Sequence, residues 1–171
     1  MTDFSGPLAE FDRALSKAET AGAAFDALLA LTRATVGVKL FTFMRVDMAN
    51  ELACRSYTSH PEAYPVSGTK PITYDAWFNQ VHGEKKMFVA NTLTDISQVF
   101  PDYELIGQLG CGSVINLPVV LDDTLVGTVN LLHEEHYYTP ERIALAEALL
   151  PVPAKATYLV SHSQERPALS A

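Results

Sequence analysis

An α+β fold, with an antiparallel sheet covered by helices on both faces, is predicted by three features of this sequence. The first is a pair of long apolar runs, residues 112–121 and 125–134, joined by Asp122-Asp123-Thr124. Val, Ile, Leu and Thr favour extended backbone and the acidic triplet supplies turn chemistry, so the two runs form a hairpin. The second is that each arm is apolar at nearly every residue, the pattern of a strand buried on both sides. The third is the helical spacing of apolar residues at both ends of the chain, which supplies segments to cover the sheet. At 171 residues the chain has the size of a single domain with a substantial core.

Residues 7–20 carry Leu8, Phe11, Leu15 and Ala18 on one helical face. Gly22 is expected to interrupt, and residues 23–36 to form a second helix with Phe25, Leu28, Leu29 and Thr32 together, ended by Gly37. Residues 39–47 and 51–58 make a first hairpin around Met48-Ala49-Asn50. Residues 59–72 hold three prolines and a glycine, which predicts one long shaped loop. Thr73 is the expected N-cap of a helix over 74–82 with an aromatic stripe of Tyr74, Trp77 and Phe78. A short strand at 87–90 and short helices at 94–99 and 102–109 lead into the central hairpin. Thr139-Pro140-Glu141 is a strong helix start, and Pro151 and Pro153 should break that helix before it resumes at 154–162.

The formal net charge of −8, with acids scattered along the chain, excludes the concentrated positive surface that nucleic-acid binding needs. No apolar run approaches the roughly 18–20 residues of a membrane span, and the N-terminus has no secretory pattern. Cys54 and Cys111 have no CxxC or Cys/His spacing and are expected as free thiols in a cytoplasmic protein.

The segment SVINLPVVLDDTLVGTVNLL followed by YYTPERIALAEAL resembles the GAF domain family. The specific points are Ser113 five residues before Pro118, the Gly127-x-Val129 pair of the return strand, and the Thr-Pro-Glu helix start. The resemblance spans about residues 22–160, with an N-terminal helix at 1–21 before it and a frayed tail at 164–171 after it. It implies a GAF/PAS-like antiparallel sheet of five or six strands, terminal helices on one face, and helices and loops enclosing a small-molecule cavity on the other. It leaves the ligand open, because GAF domains bind cyclic nucleotides, bilins, haem, amino acids, aromatics, or nothing. It also implies a homodimer through the terminal helices, whose alanine-rich faces suit close packing.

Candidate ligand contacts follow from polar residues among apolar ones. Ser113, Asn116 and Asn130 interrupt the central hairpin, and covered polar groups must find partners. With an odd number of turn residues, Asn116 and Asn130 share a face; with an even number, Asn116 joins His133 and Asn130 joins Ser113. The alternative is that each asparagine satisfies a nearby loop backbone. Tyr57, Ser59, His60, Tyr64 and Lys70 could recognise a small anionic or polar ligand, or plug the cavity. Trp77 fits a cavity wall or ordinary core, and Phe100 with Tyr103 a lid or an anchor. Cys111, between two glycines, is either an accessible thiol or a buried inert one. His133-Glu134-Glu135-His136 is not a metal motif, because residues three apart on a strand point to opposite faces.

Three functions are compatible with these residues. The first is a ligand-binding sensory or regulatory domain that has no output domain of its own and signals through a partner chain or a dimer. The second is a GAF-fold enzyme, similar to the free methionine-R-sulfoxide reductases or of other chemistry. The resemblance to those reductases fails where they carry acids, at Val114 and Asn130 here, and where their catalytic cysteine stands, at about Gly107. The third is a structural dimerisation module with a collapsed cavity.

Overall fold

The computed structural model describes residues 2–165. The elements are α1 (Ser5–Ser16), α2 (Ala21–Ala34), β1 (Leu40–Asp47), β2 (Leu52–Thr58), β3 (Lys70–Pro71), α3 (Ala76–Phe78), β4 (Phe88–Ala90), α4 (Leu93–Ser97), α5 (Tyr103–Gln108), β5 (Ser113–Leu121), β6 (Thr124–His133), α6 (Pro140–Leu149) and α7 (Pro151–Glu165). The six strands form one sheet in the order β3-β2-β1-β6-β5-β4, every neighbouring pair antiparallel. The central strands β1, β6 and β5 are covered on both sides, as their continuous apolar character requires. Alternate residues Phe41, Phe43, Ile115, Leu117, Val129 and Leu131 point to one face and pack with Phe25 and Leu28 of α2, Ala146 of α6 and Ala154 of α7. Their neighbours Leu40, Val114 and Leu132 point to the other face, against Tyr64, Ile96 and Ile106. Phe11 anchors α1 in the first of these cores.

Two bulges set which side chains reach which face. The central turn has two residues, Asp122 and Asp123, at φ 48° and 64°, and Thr124 already belongs to β6. Positive φ at both central positions matches the twist of a tight hairpin. An even turn alone would separate Asn116 from Asn130. However, Val120 pairs with Leu125 and Val119 with Gly127, leaving Val126 as an extra residue, and that bulge restores Asn116 opposite Asn130. In the first hairpin Phe43 pairs with Tyr57 but Met44 with Arg55, so Ser56 is extra. Gly127 permits a close approach, since a Cβ there would lie 2.4 Å from Phe43 Cζ.

Several expected boundaries move. Gly22 does not interrupt a helix; it lies in the first turn of α2, because Thr20 caps that helix by accepting from Ala23 N at 3.0 Å. The 59–72 segment is not loop throughout: Lys70–Pro71 pairs with β2 as an edge strand, where proline's missing donor is harmless. Asp75, not Thr73, caps the next helix by accepting from Phe78 N at 2.9 Å. That helix continues as a π-helical turn, Asn79–Gly83, and Tyr74 is left exposed before it. Pro151 and Pro153 start α7 instead of delaying it, since a first helical turn has no need of their amide protons. The axes of α6 and α7 bend by 48° at that break, and among the described residues no single helix is long and apolar enough to cross a membrane. The helix continues through Glu165, and the rest of the tail, 166–171, lies outside the described residues.

Candidate functional site

Between the second face of the sheet and the α3–α5 region lies a cavity of about 240 Å³. Its floor is a ladder of neutral polar side chains from three adjacent strands. Asn130 Nδ2 donates to Thr42 Oγ1 at 3.1 Å, and Asn116 Nδ2 donates to Asn130 Oδ1 at 2.7 Å. Trp77 Nε1 completes the row by donating to Asn116 Oδ1 at 2.9 Å. Asn116 and Asn130 are buried, at 2% and 9% exposure, so each of these bonds offsets a desolvation cost of about 1–3 kcal/mol. The amides partner each other and the Trp77 helix, and loop backbone takes no part in these bonds.

Charge enters from the side. The Arg55 guanidinium lies 3.7 Å above the Tyr64 ring and donates from Nη1 to Pro65 O at 2.7 Å. Its Nη2 is 3.8 Å from Asp102 Oδ2, and the same carboxylate accepts from the Tyr64 hydroxyl. Burial first, then that hydrogen bond, hold the Tyr64 phenol well above the ordinary tyrosine range, so it stays a donor. Asp102 precedes α5 but makes no capping bond with its side chain, which is turned to Tyr64 instead. Lys70, exposed on the edge strand, also borders the cavity. The apolar wall includes Ile106, Val114, Leu132 and Phe100, with the Phe100 ring edge-on to Trp77 at 6.2 Å.

Of the residues singled out in the sequence, Tyr64, Lys70, Trp77, Phe100, Asn116 and Asn130 come together at this cavity. Five do not. Tyr57 faces the opposite side of the sheet, where its hydroxyl donates to Asp26 at 2.5 Å and its ring stacks on Phe25. The Ser56 bulge is the reason, because it sends Tyr57 to the helical face and Arg55 to the cavity. His60 lies beside the Ser59 hydroxyl, 2.7 Å from its Nδ1, outside the lining. Tyr103 packs beside the second core and its hydroxyl meets its neighbour Glu104. Ser113 donates to Glu134 O at 2.7 Å and ties the start of β5 to the end of β6. Cys111 is buried in the second core, and that burial raises its thiol pKa against the weaker opposing pull of Lys39. It has the environment of an inert thiol.

Thr42, Arg55 and Asp102 are lining residues that the sequence did not single out. Asp102 sits between Phe100 and Tyr103, both of which stood out as aromatic, and a lone acid in a polar loop carries no signal of its own. Among the described residues no cluster of three or more His, Cys, Asp or Glu could hold a metal ion. His133 ends β6 stacked on Tyr137, with ring centroids 3.4 Å apart.

A family model described as GAF domain matches residues 14–151. Among solved structures, the chain is similar to the GAF domain of a two-component sensor histidine kinase from Bacillus halodurans, at TM-score 0.68 and 14% identity, covering 86% of this chain and 100% of that one. It is similar to the GAF domain of an Acinetobacter phosphoenolpyruvate-protein phosphotransferase at TM-score 0.68 and 11% identity, over 95% and 96% of the two chains. A free methionine-R-sulfoxide reductase from Neisseria meningitidis, solved with its substrate, superposes at TM-score 0.65 and 15% identity, over 95% of both chains. No curated protein sequence matches the chain.

Proposed function

Because the chain belongs to the GAF domain family, we propose that it is a sensory or regulatory domain whose cavity beneath Trp77 binds a small molecule. The observation that carries this reading is the cavity bordered by both neutral and charged polar groups, Asn116, Asn130, Arg55, Lys70 and Asp102. A collapsed structural module would need no such space. Thiol chemistry finds no support at this cavity, because neither Cys54 nor Cys111 lines it. We place the domain in the cytoplasm as a homodimer formed through α1 and α7, where Leu8, Val152 and Leu159 present exposed apolar side chains.

A thermal-shift screen of nucleotides, amino acids and small aromatic compounds tests the reading. A ligand at a hundred times its Kd stabilises the folded state by about 2.7 kcal/mol. For a chain of this size that is a rise of roughly 5–10 °C in Tm. One chemical class should produce it, and uniform silence across all classes would refute the proposal.

A further inference from the structure

We infer that the cavity takes a compact monocarboxylate with a flat apolar body, of the benzoate class. This rests on the ligand-binding reading above and assigns the chemistry of the ligand. Charge is the first ground. The charged side chains on the lining are Arg55, Lys70 and Asp102, a balance of one positive charge. Asp102 is already engaged by the Tyr64 hydroxyl and by Arg55. Lys70 has no carboxylate partner among the described residues. An incoming anion therefore meets an uncommitted cation, whereas an incoming ammonium meets no uncommitted carboxylate. A monoanion fits that balance better than a zwitterion: Lys70 supplies the uncommitted cation, and Arg55, though engaged with Pro65 O and Asp102, adds positive charge beside it.

The floor is the second ground. Thr42, Asn130, Asn116 and Trp77 bond to one another in a row, so part of their hydrogen-bonding capacity is already taken. Apart from the Thr42 and Thr128 hydroxyls, a sugar or polyol with several hydroxyls would find few open partners there, and hydroxyls left unpaired on burial are costly. Size and the remaining wall are the third. About 240 Å³ lies below the roughly 300–1,000 Å³ of sites for drug-sized ligands, which disfavours a nucleotide. Trp77, Phe100, Ile106, Val114 and Leu132 offer apolar and aromatic contact for a single ring. The carboxylate would lie toward Arg55 and Lys70, and the ring against Trp77 and Phe100.

Calorimetric titration of the full chain with benzoate, benzamide, phenylalanine and phenyl phosphate tests this. Benzamide keeps the shape without the charge, phenylalanine adds an ammonium, and phenyl phosphate carries the larger charge. Benzoate should bind at least tenfold more tightly than any of the other three. Lys70→Gln should weaken benzoate about tenfold, and Lys70→Arg should restore most of the affinity. Lys70 is exposed, so both variants should fold, and circular dichroism checks that. Equal binding of benzamide and benzoate, or preference for phenylalanine or phenyl phosphate, would overturn the assignment. If nucleotides raised Tm in the thermal-shift screen and benzoate did not bind, the assignment would fall while the ligand-binding reading stood; no binding by any class would remove both.

Discussion

On the helical face of the sheet Tyr57 donates to Asp26, and on the cavity face Tyr64 donates to Asp102. The two pairs share their chemistry and differ in their surroundings. Tyr57, partly buried, lies against Phe25 and Phe41 at the edge of the helical-face core, with ring centroids 5.3 and 5.8 Å away. Tyr64 instead carries a guanidinium on its ring and borders open space. The first pair buttresses α2 on the sheet, while the second fixes a charged group beside a cavity. One sheet therefore sends alternate residues to a packed core on one side and to a cavity on the other.

The largest effect should come from emptying the filled face. Phe41 is fully buried, and Phe41→Ala should cost about 3–5 kcal/mol in urea unfolding. Phe100→Ala, at the half-buried cavity wall, should cost about half that or less and alter ligand affinity instead. Equal costs would erase the contrast between the faces.

The polar ladder comes next. Asn130→Ala removes the acceptor for Asn116 and the donor to Thr42, and should destabilise by about 1–3 kcal/mol. A loss under about 0.5 kcal/mol would mean that water serves these groups as well as they serve each other.

A third effect appears in alkali. Burial, followed by the aspartate hydrogen bond, raises the phenol pKa of both Tyr57 and Tyr64 in the folded state. The unfolded chain then loses protons first, so the stability contributed by the neutral phenols is complete below about pH 10 and declines as pH rises beyond it. Denaturant midpoints from pH 8 to 11 should show the decline, and Tyr57→Phe and Tyr64→Phe should each flatten it. An unchanged slope in both variants would contradict the assignment.

The smallest effect concerns the thiols. Cys54 is half-buried and Cys111 is buried with a raised pKa, so alkylation of the native protein should modify Cys54 first. Mass spectrometry of the labelled peptides reads the order directly.

Much of the filled face was legible in the sequence. Continuous apolar strands predicted covers on both sides, Thr139-Pro140 marked the start of α6, and the Ser113–Pro118 and Gly127–Val129 spacings carried the family resemblance. The cavity face was legible only in part, for a geometric reason. Tyr57 and Arg55 have the same parity and would share a face on a regular strand, but Ser56 bulges between them. The same holds for Asn116 and Asn130, whose common face depends on the Val126 bulge and not on turn length. A bulge costs one residue and leaves no mark in composition or periodicity, yet it decides which groups can meet a ligand.

Trp77, the only tryptophan in the chain, lines the cavity and is bonded to its floor. Its emission is therefore the most direct reporter of whether the open face is a binding site. For any compound that raises Tm, Trp77 emission should change saturably, with the same Kd as the thermal titration. A compound that raised Tm at saturation while leaving that emission untouched would be bound elsewhere, and would contradict the assignment of this cavity.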